Sequence, residues 1–175
     1  MKFISQYSNQ IQVLLFTILS AVFIIIVLEG YIINPTPSDA LKDEAGAPPL
    51  VLNIDKNKSL GIIELADGFH LYALSDRFWG WTITDEVFIS NVDTIITKNE
   101  TFTFKNNNQI DLILITNPQK EIDYFKAHDE SNNFFNFNVI KKGKKELHYV
   151  YSETPLTGNI TYEGFSNENL LLYKK

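Results

Sequence analysis

The most unusual stretch of this sequence is 76–81, which reads DRFWGW and holds both tryptophans and the only arginine of the chain. In an extended strand, Trp79 and Trp81 lie on one face and Phe78 on the other. The glycine between the two indoles leaves room for a flat groove. Flat aromatic surfaces stack on sugar rings and peptide aromatics, and arginine and tryptophan are favoured interface anchors. We therefore predict a binding surface formed by Arg77, Phe78, Trp79 and Trp81.

The competing interpretation of the same stretch is structural. In this interpretation the two tryptophans fill the core of the domain, and Arg77 forms an ion pair with Asp76 or Asp85. A water-soluble quencher of tryptophan fluorescence distinguishes the two interpretations, because indoles in the core would be protected from it.

A second candidate contact surface is the only basic run of the chain, KKGKK at 141–145. At the tip of a hairpin, these lysines could contact anionic lipid headgroups or cell-wall phosphates. The predicted contact residues are Lys141, Lys142, Lys144 and Lys145. The alternative is a solubilising turn that prevents the flanking strands from pairing with other chains.

Motifs for catalysis or metal binding are absent from the sequence. There is no cysteine, and His70, His128 and His148 follow no paired ligand spacing such as HExxH. The G-x-S-x-G and S-x-x-K motifs and a glycine-rich phosphate loop are also missing. We expect no metal, no cofactor and no catalytic residue, with a small envelope hydrolase as an alternative. His70 and His148 are expected to be exposed or hydrogen-bonded, since each faces away from the clearest apolar set of its strand.

From residue 50 onwards, apolar and polar residues alternate with a period of two, which is typical of half-buried β-strands. Turn-forming pairs such as Asp67-Gly68 separate these stretches at intervals of about 8–12 residues. Strands are predicted at 51–54, 59–65, 69–74, 78–84, 86–92, 100–105, 109–116, 134–140, 146–151 and 159–165. The predicted fold is mainly β: an antiparallel, sandwich or barrel-like domain over residues 50–175.

One segment interrupts the alternation and predicts a short helix. Asn117 can cap this helix, and the following proline suits its first turn. Ile122 and Phe125 would form its apolar side, and His128 would end it, where a histidine suits the helix dipole. The last segment, 167–173, fits either a strand or a helix.

The N-terminal region carries no charge between Lys2 and Glu29. The 13 Leu, Ile, Val and Phe residues of 13–28 contribute about −4 to −8 kcal/mol on a membrane-insertion scale. We predict a transmembrane signal anchor at 11–33. A buried core helix is disfavoured because it would show a polar stripe, which this segment lacks. A cleaved signal peptide is disfavoured because its best cleavage site is followed by Pro48.

The flanking charges predict the orientation of this anchor. Lys2 and the amino terminus precede it and Glu29 ends it, which places residues 1–10 in the cytoplasm and the C-terminal domain outside. Residues 34–49 contain four prolines and predict a semi-extended linker.

The composition limits the classes of partner. A net charge of −6 argues against nucleic acid, because phosphate binding requires a basic face. Frequent Lys, Ile and Asn, whose codons are AT-rich, suggest a bacterial genome. The sequence thus predicts a single-pass, membrane-anchored binding or interaction protein of the cell envelope. Its expected partners are the lipid bilayer, through residues 11–33, and a protein or cell-wall component; the alternative is an immunity-type or regulatory membrane subunit.

Overall fold

The computed structural model describes residues 2–44, 48–77, 80–91, 94–118, 121–142 and 145–175, with side chains described throughout except at 2–10, 27–33 and 142. This part of the chain forms one α-helix followed by antiparallel β-sheets. The prediction of a mainly β, antiparallel fold is therefore confirmed.

The helix α1 (Lys2–Ile33) shows no polar stripe on its described surface. Over residues 11–26 the large apolar side chains are all between 47% and 74% exposed in the isolated chain. The hydroxyl of Thr17 donates to the carbonyl of Val13, one turn earlier, at 2.8 Å. Among the residues with described side chains, no helix is both long enough and apolar enough to cross a membrane.

The described strands form three antiparallel sheets of four strands each. Sheet A contains, in spatial order, β1 (Leu50–Asn53), β2 (Lys58–Glu64), β3 (Gly68–Arg77) and β4 (Gly80–Ser90). Sheet B contains β5 (Ile96–Thr103), β6 (Gln109–Thr116), β9 (Asn138–Lys142) and β10 (Lys145–Ser152), with β10 between β6 and β9. Sheet C contains β7 (Tyr124–His128), β8 (Phe134–Phe135), β11 (Thr161–Phe165) and β12 (Leu171–Lys174), with β11 between β12 and β7.

Sheets A and B pack face to face around the first core of the domain. Phe69 and Leu71 of β3 meet Leu112 and Leu114 of β6 and Leu147 of β10, and all five side chains are at most 1% exposed. Burial of each such side chain stabilises the fold by about 1.5–3 kcal/mol. The alternation predicted for these strands therefore places their apolar sets on one side of each sheet.

The second core lies on the opposite face of sheet B, between sheets B and C. Ile113 and Ile115 of β6 pack there against Phe125, Ala127 and Tyr162. The central strand β6 is consequently buried on both faces. This explains why β6 reads as a nearly unbroken apolar run rather than as a clean alternation.

Part of the predicted linker is folded onto the outer face of sheet A. A short 3-10 turn, Asp39–Leu41, directs Leu41 onto β2, where its side chain is fully buried. A Cβ atom at Gly61 would overlap Leu41, so the missing side chain of this glycine creates the seat. Within the predicted linker, Leu41 and the carbonyl of Asn34 thus contact sheet A. We call the buried group here the Leu41 cluster; it contains Leu41, Ile63, Tyr72 and Leu74.

The short helix predicted after Asn117 is wrong. Residues Tyr124–His128 form β7, which pairs with β11 and directs Phe125 and Ala127 into the second core. The side-chain amide of Asn117 donates to the carbonyl of Ile122 at 2.9 Å instead of capping a helix. Local capping signals favoured a helix, but pairing with the distant β11 satisfies the backbone and buries the alternating face.

The number of strands also differs from the prediction at two places. Residues 80–90 form the single long strand β4, although the sequence predicts a break near residue 85. The predicted strand 134–140 is divided between β8 of sheet C and β9 of sheet B. The ambiguous C-terminal segment contains the strand β12.

Candidate ligand site

Two residues of the predicted DRFWGW binding surface, Arg77 and Trp81, are described by the structure. Arg77 ends β3, whereas Trp81 lies in β4 and packs against the Leu41 cluster on the outer face of sheet A. The backbone N–H of Trp81 donates to the carbonyl of Asn34 at 2.9 Å. Phe78 and Trp79 lie outside the described residues.

Arg77 borders a cleft at one end of the first core, where β3 ends next to the turn between β5 and β6. Two adjoining hollows, of about 560 and 570 Å³, open here. The walls of both contain Arg77, Phe104, Lys105 and Asn106. We call the two hollows together the Arg77 cleft. Their volumes fall in the range of small-molecule sites, about 300–1,000 Å³.

The turn 104–108 forms one wall of the Arg77 cleft. Asn106 and Asn107 both have positive φ angles, of 62° and 58°, which asparagine tolerates better than most residues. The N–H of Phe104 closes the turn by donating to the carbonyl of Asn108 at 2.7 Å. The N–H of Lys105 donates to Oγ of Ser75 in β3 at 3.1 Å. These two bonds hold the turn against the strand that carries Arg77.

The turn between β1 and β2 forms the opposite wall. Asp55 accepts the N–H of Asn57 at 2.7 Å and pairs with Nζ of Lys58 at 3.1 Å. Burial alone would raise the pKa of Asp55, but these two partners outweigh it and hold the pKa below its ordinary value. Asp76 donates its N–H to the carbonyl of Asn57 at 2.9 Å, which joins this wall to β3. The charge of Lys58 is therefore already compensated.

Arg77 has no such compensation in the described part of the chain. Its Nε is buried and makes no hydrogen bond there, and no described carboxylate forms an ion pair with the guanidinium. Asp85, one of its two predicted partners, instead accepts the N–H of Thr103 at 3.0 Å. Lys105 is exposed and likewise makes no ion pair with a described residue. Two cations without an ion-pair partner among the described residues therefore line the same cleft, together with one further carboxylate, Asp76.

The predicted basic surface at 141–145 is partly engaged within the chain. Lys141 pairs with Glu146 at 2.8 Å, and Nζ of Lys145 donates to the carbonyls of Leu65 and Ala66, the latter at 2.7 Å. Lys144 and the side chain of Lys142 lie outside the described residues. Lys145 thus connects β10 of sheet B to the turn that follows β2 in sheet A.

A second polar group lies at the other end of β6. Glu146 is its centre: Oε1 pairs with Lys141, and Oε2 lies 3.4 Å from both Nδ2 of Asn117 and Nε2 of His148. We call these four residues the Glu146 cluster. Burial alone would raise the pKa of Glu146, but Lys141, His148 and Asn117 outweigh it and lower that pKa.

His148 is buried, and neither ring nitrogen makes a hydrogen bond within the described part of the chain, whereas the sequence predicted an exposed or hydrogen-bonded histidine. His148 is 1% exposed and lies edge-on against Phe125, with ring centroids 4.8 Å apart. Burial lowers the pKa of His148, and the nearby Glu146 carboxylate opposes that shift only in part. The histidine faces away from the first core, but sheet C covers this second face of sheet B.

The arrangement most similar to a catalytic relay lies on the outer face of sheet A. The hydroxyl of Tyr72 lies 2.8 Å from Nδ1 of His70, and Nε2 of His70 lies 3.5 Å from Oε2 of Glu86. Tyr72 is only 2% exposed, and burial, together with Glu44 and Glu86, raises its pKa. A buried, protonated hydroxyl suits a structural hydrogen bond better than a nucleophile. No group of three or more potential metal ligands occurs among the described residues.

Sequence reasoning identified Arg77 but missed Lys105, Asn106 and Asn108 as cleft residues. The one signal in the sequence was the NNN turn at 106–108, which marks a reversal but not its neighbour in space. Comparison of the chain with models of known protein families, with curated proteins and with solved structures finds no match.

Proposed function

We propose that this chain is a membrane-anchored, extracytoplasmic binding protein of the bacterial cell envelope and that it holds a small polar ligand in the Arg77 cleft. The observation that carries the proposal is the combination of an open cleft of ligand size with an arginine that has no ion-pair partner among the described residues. An arginine that serves only the fold is normally paired or spread over the surface, because an uncompensated, partly buried charge is costly.

The anchor is supported by the uncharged sequence up to Glu29 and by the exposure of the helix. Over residues 11–26 the apolar side chains of α1 are exposed on all sides of the isolated chain. Water would make this surface unfavourable, whereas a hydrocarbon environment would stabilise it. The hydrogen bond of Thr17 to Val13 satisfies a hydroxyl that would otherwise be unpaired in lipid.

The anchor is tested by fusing a reporter that is active only outside the cytoplasm to the C-terminus. We expect activity of this fusion and resistance of the chain to alkaline extraction from membranes. The matched control carries Ile18→Lys and Ile25→Lys, since each central lysine costs about 2.5–3.5 kcal/mol of insertion free energy. Activity from a cytoplasm-only reporter at the same position would contradict the proposed topology.

The cleft is tested with two neighbouring tryptophan substitutions. Asn108→Trp places a large side chain in the cleft, whereas Gln109→Trp changes an exposed residue of β6 that does not line it. Purified full-length chains would be screened by thermal unfolding with glucose, N-acetylglucosamine, succinate and inorganic phosphate. A ligand present at a hundredfold excess over its Kd stabilises the fold by about 2.7 kcal/mol, which raises Tm by several degrees.

We expect at least one of these probes to raise the Tm of the wild type and of Gln109→Trp, but not that of Asn108→Trp. The assignment of the cleft fails if none of the four probes stabilises the wild type, or if Asn108→Trp responds as the wild type does.

A further inference from the structure

The geometry points to an oxyanion, a carboxylate or phosphate group, as the part of the ligand that the Arg77 cleft recognises, with Arg77 and Lys105 as its two cationic contacts. This inference rests on the proposed function, because it assigns a chemical class to the ligand of the same cleft. A guanidinium suits both anions, since its planar fork can donate two parallel hydrogen bonds to two oxygens.

The first argument is the charge of the walls. The residues that line the two hollows include three cations, Lys58, Arg77 and Lys105, and two carboxylates. One carboxylate, Asp55, is occupied by Lys58. The cleft therefore carries a positive excess although the whole chain has a net charge of −6. Such a local reversal of sign is the arrangement that attracts an anion to a particular place on an acidic protein.

The second argument is the state of Arg77 itself. Its Nε is buried without a hydrogen-bond partner among the described residues. Leaving a buried donor of a charged group unsatisfied costs free energy, and an oxyanion in the cleft would remove that cost. A neutral sugar could satisfy one donor, but it would leave the positive charge uncompensated.

The third argument is that the walls are held in place before any ligand arrives. The N–H of Lys105 donates to Oγ of Ser75, and the N–H of Asp76 donates to the carbonyl of Asn57; these bonds fix both turns to β3, on either side of Arg77. A site that is already formed loses less free energy on binding than one that must be ordered. The cations therefore do not have to be brought together by the ligand.

The inference is tested by isothermal titration of the full-length chain in chloride buffer, with inorganic phosphate and succinate in separate arms. We expect saturable binding of at least one of these anions, and the comparison of the two arms identifies which oxyanion is preferred. Arg77→Gln should weaken this binding about tenfold to hundredfold. Arg77→Lys should weaken it less, because it keeps the charge but loses the fork.

Two further variants secure the result. Lys105→Gln changes an exposed residue, so it remains informative if the Arg77 variants unfold, and it should also weaken anion binding. Lys56→Gln removes the same charge from a nearby exposed residue that does not line the cleft. It should change the affinity for the anion by less than about twofold, because exposed charges are screened.

The outcomes separate this inference from the proposed function. If a neutral probe no longer binds to Asn108→Trp but binds to Arg77→Gln as it does to the wild type, the cleft is a ligand site and the oxyanion assignment is overturned. If neither phosphate nor succinate gives saturable heat, the oxyanion assignment is also overturned. If Asn108→Trp binds every probe as the wild type does, the cleft itself is not the site.

Discussion

The two ends of β6 carry two different kinds of polar group. At the start of β6, the Arg77 cleft is open and contains two cations without ion-pair partners among the described residues. At its end, Lys141, Asn117 and His148 surround the carboxylate of Glu146, and sheet C covers His148. A carboxylate whose charge is already compensated contributes to the stability of the fold, whereas cations without an ion-pair partner remain available to a ligand.

This difference predicts opposite responses to substitution. The largest effect is expected at the Glu146 cluster. Glu146→Ala removes the shared partner of Lys141, Asn117 and His148 and should lower the free energy of unfolding by about 2–3 kcal/mol. Urea unfolding of the full-length chain measures this change. The control is Glu153→Ala, which changes an exposed residue of the same sheet region. The free energy of unfolding of this variant should stay within about 0.5 kcal/mol of the wild-type value.

A smaller effect is expected from pH. The folded chain lowers the pKa of His148 from the ordinary value of 6.5, so the unfolded chain binds more protons between these two pKa values. The contribution of His148 to the free energy of unfolding should therefore be fully present above pH 6.5. The free energy of unfolding should decline as the pH falls towards 5, by at most about 1.4 kcal/mol per pH unit for one proton. Glu146 and the other carboxylates with lowered pKa values lose their contribution only at lower pH.

Urea unfolding at several pH values between 5 and 7.5 checks this expectation. His148→Leu should remove most of the decline, whereas the partly exposed His128→Gln should retain it. A wild-type stability that is constant over this range would show that His148 is not the buried neutral histidine described above.

The smallest effect on stability is expected at the Arg77 cleft. Arg77→Gln breaks no ion pair in the described part of the chain and should change the free energy of unfolding by less than about 0.5 kcal/mol. The same substitution should strongly affect anion binding. A loss of stability above about 1.5 kcal/mol would instead make Arg77 a structural residue, and the contrast between the two ends of β6 would disappear.

The sequence alone predicted the parts of the fold that depend on local patterns. The strands predicted at 109–116 and 146–151 are confirmed as β6 and β10. The alternation of 146–151 reflects a strand that repeats its side-chain direction every second residue. The same local reasoning failed at 124–128, where a capping asparagine and a proline suggested a helix. Only the non-local pairing of β7 with β11 makes this segment a strand.

From the sequence alone, the burial of a strand residue could be predicted only where one face of its sheet is covered and the other is exposed. His148 was expected to be exposed or hydrogen-bonded because it faces away from Leu147 and Tyr149, but both faces of sheet B are covered. Leu41 offered no signal either, since it stands alone in a stretch without apolar periodicity and is buried by its fit over Gly61. Such fits depend on which surfaces come together, and no local window of sequence contains both partners.

The sequence by itself thus determined an uncharged apolar segment, a β-rich domain without cysteine, and one arginine in an unusual context. Tertiary structure decided what that arginine faces. It separated Arg77 from Trp81, which follows it closely in sequence, and placed it beside Lys105 and Asn106 from a distant turn. The physical reason is that successive residues of a strand point to opposite faces, and Trp81 is paired with Asp76 rather than with Arg77, whereas packing of sheets A and B brings distant turns to the same edge.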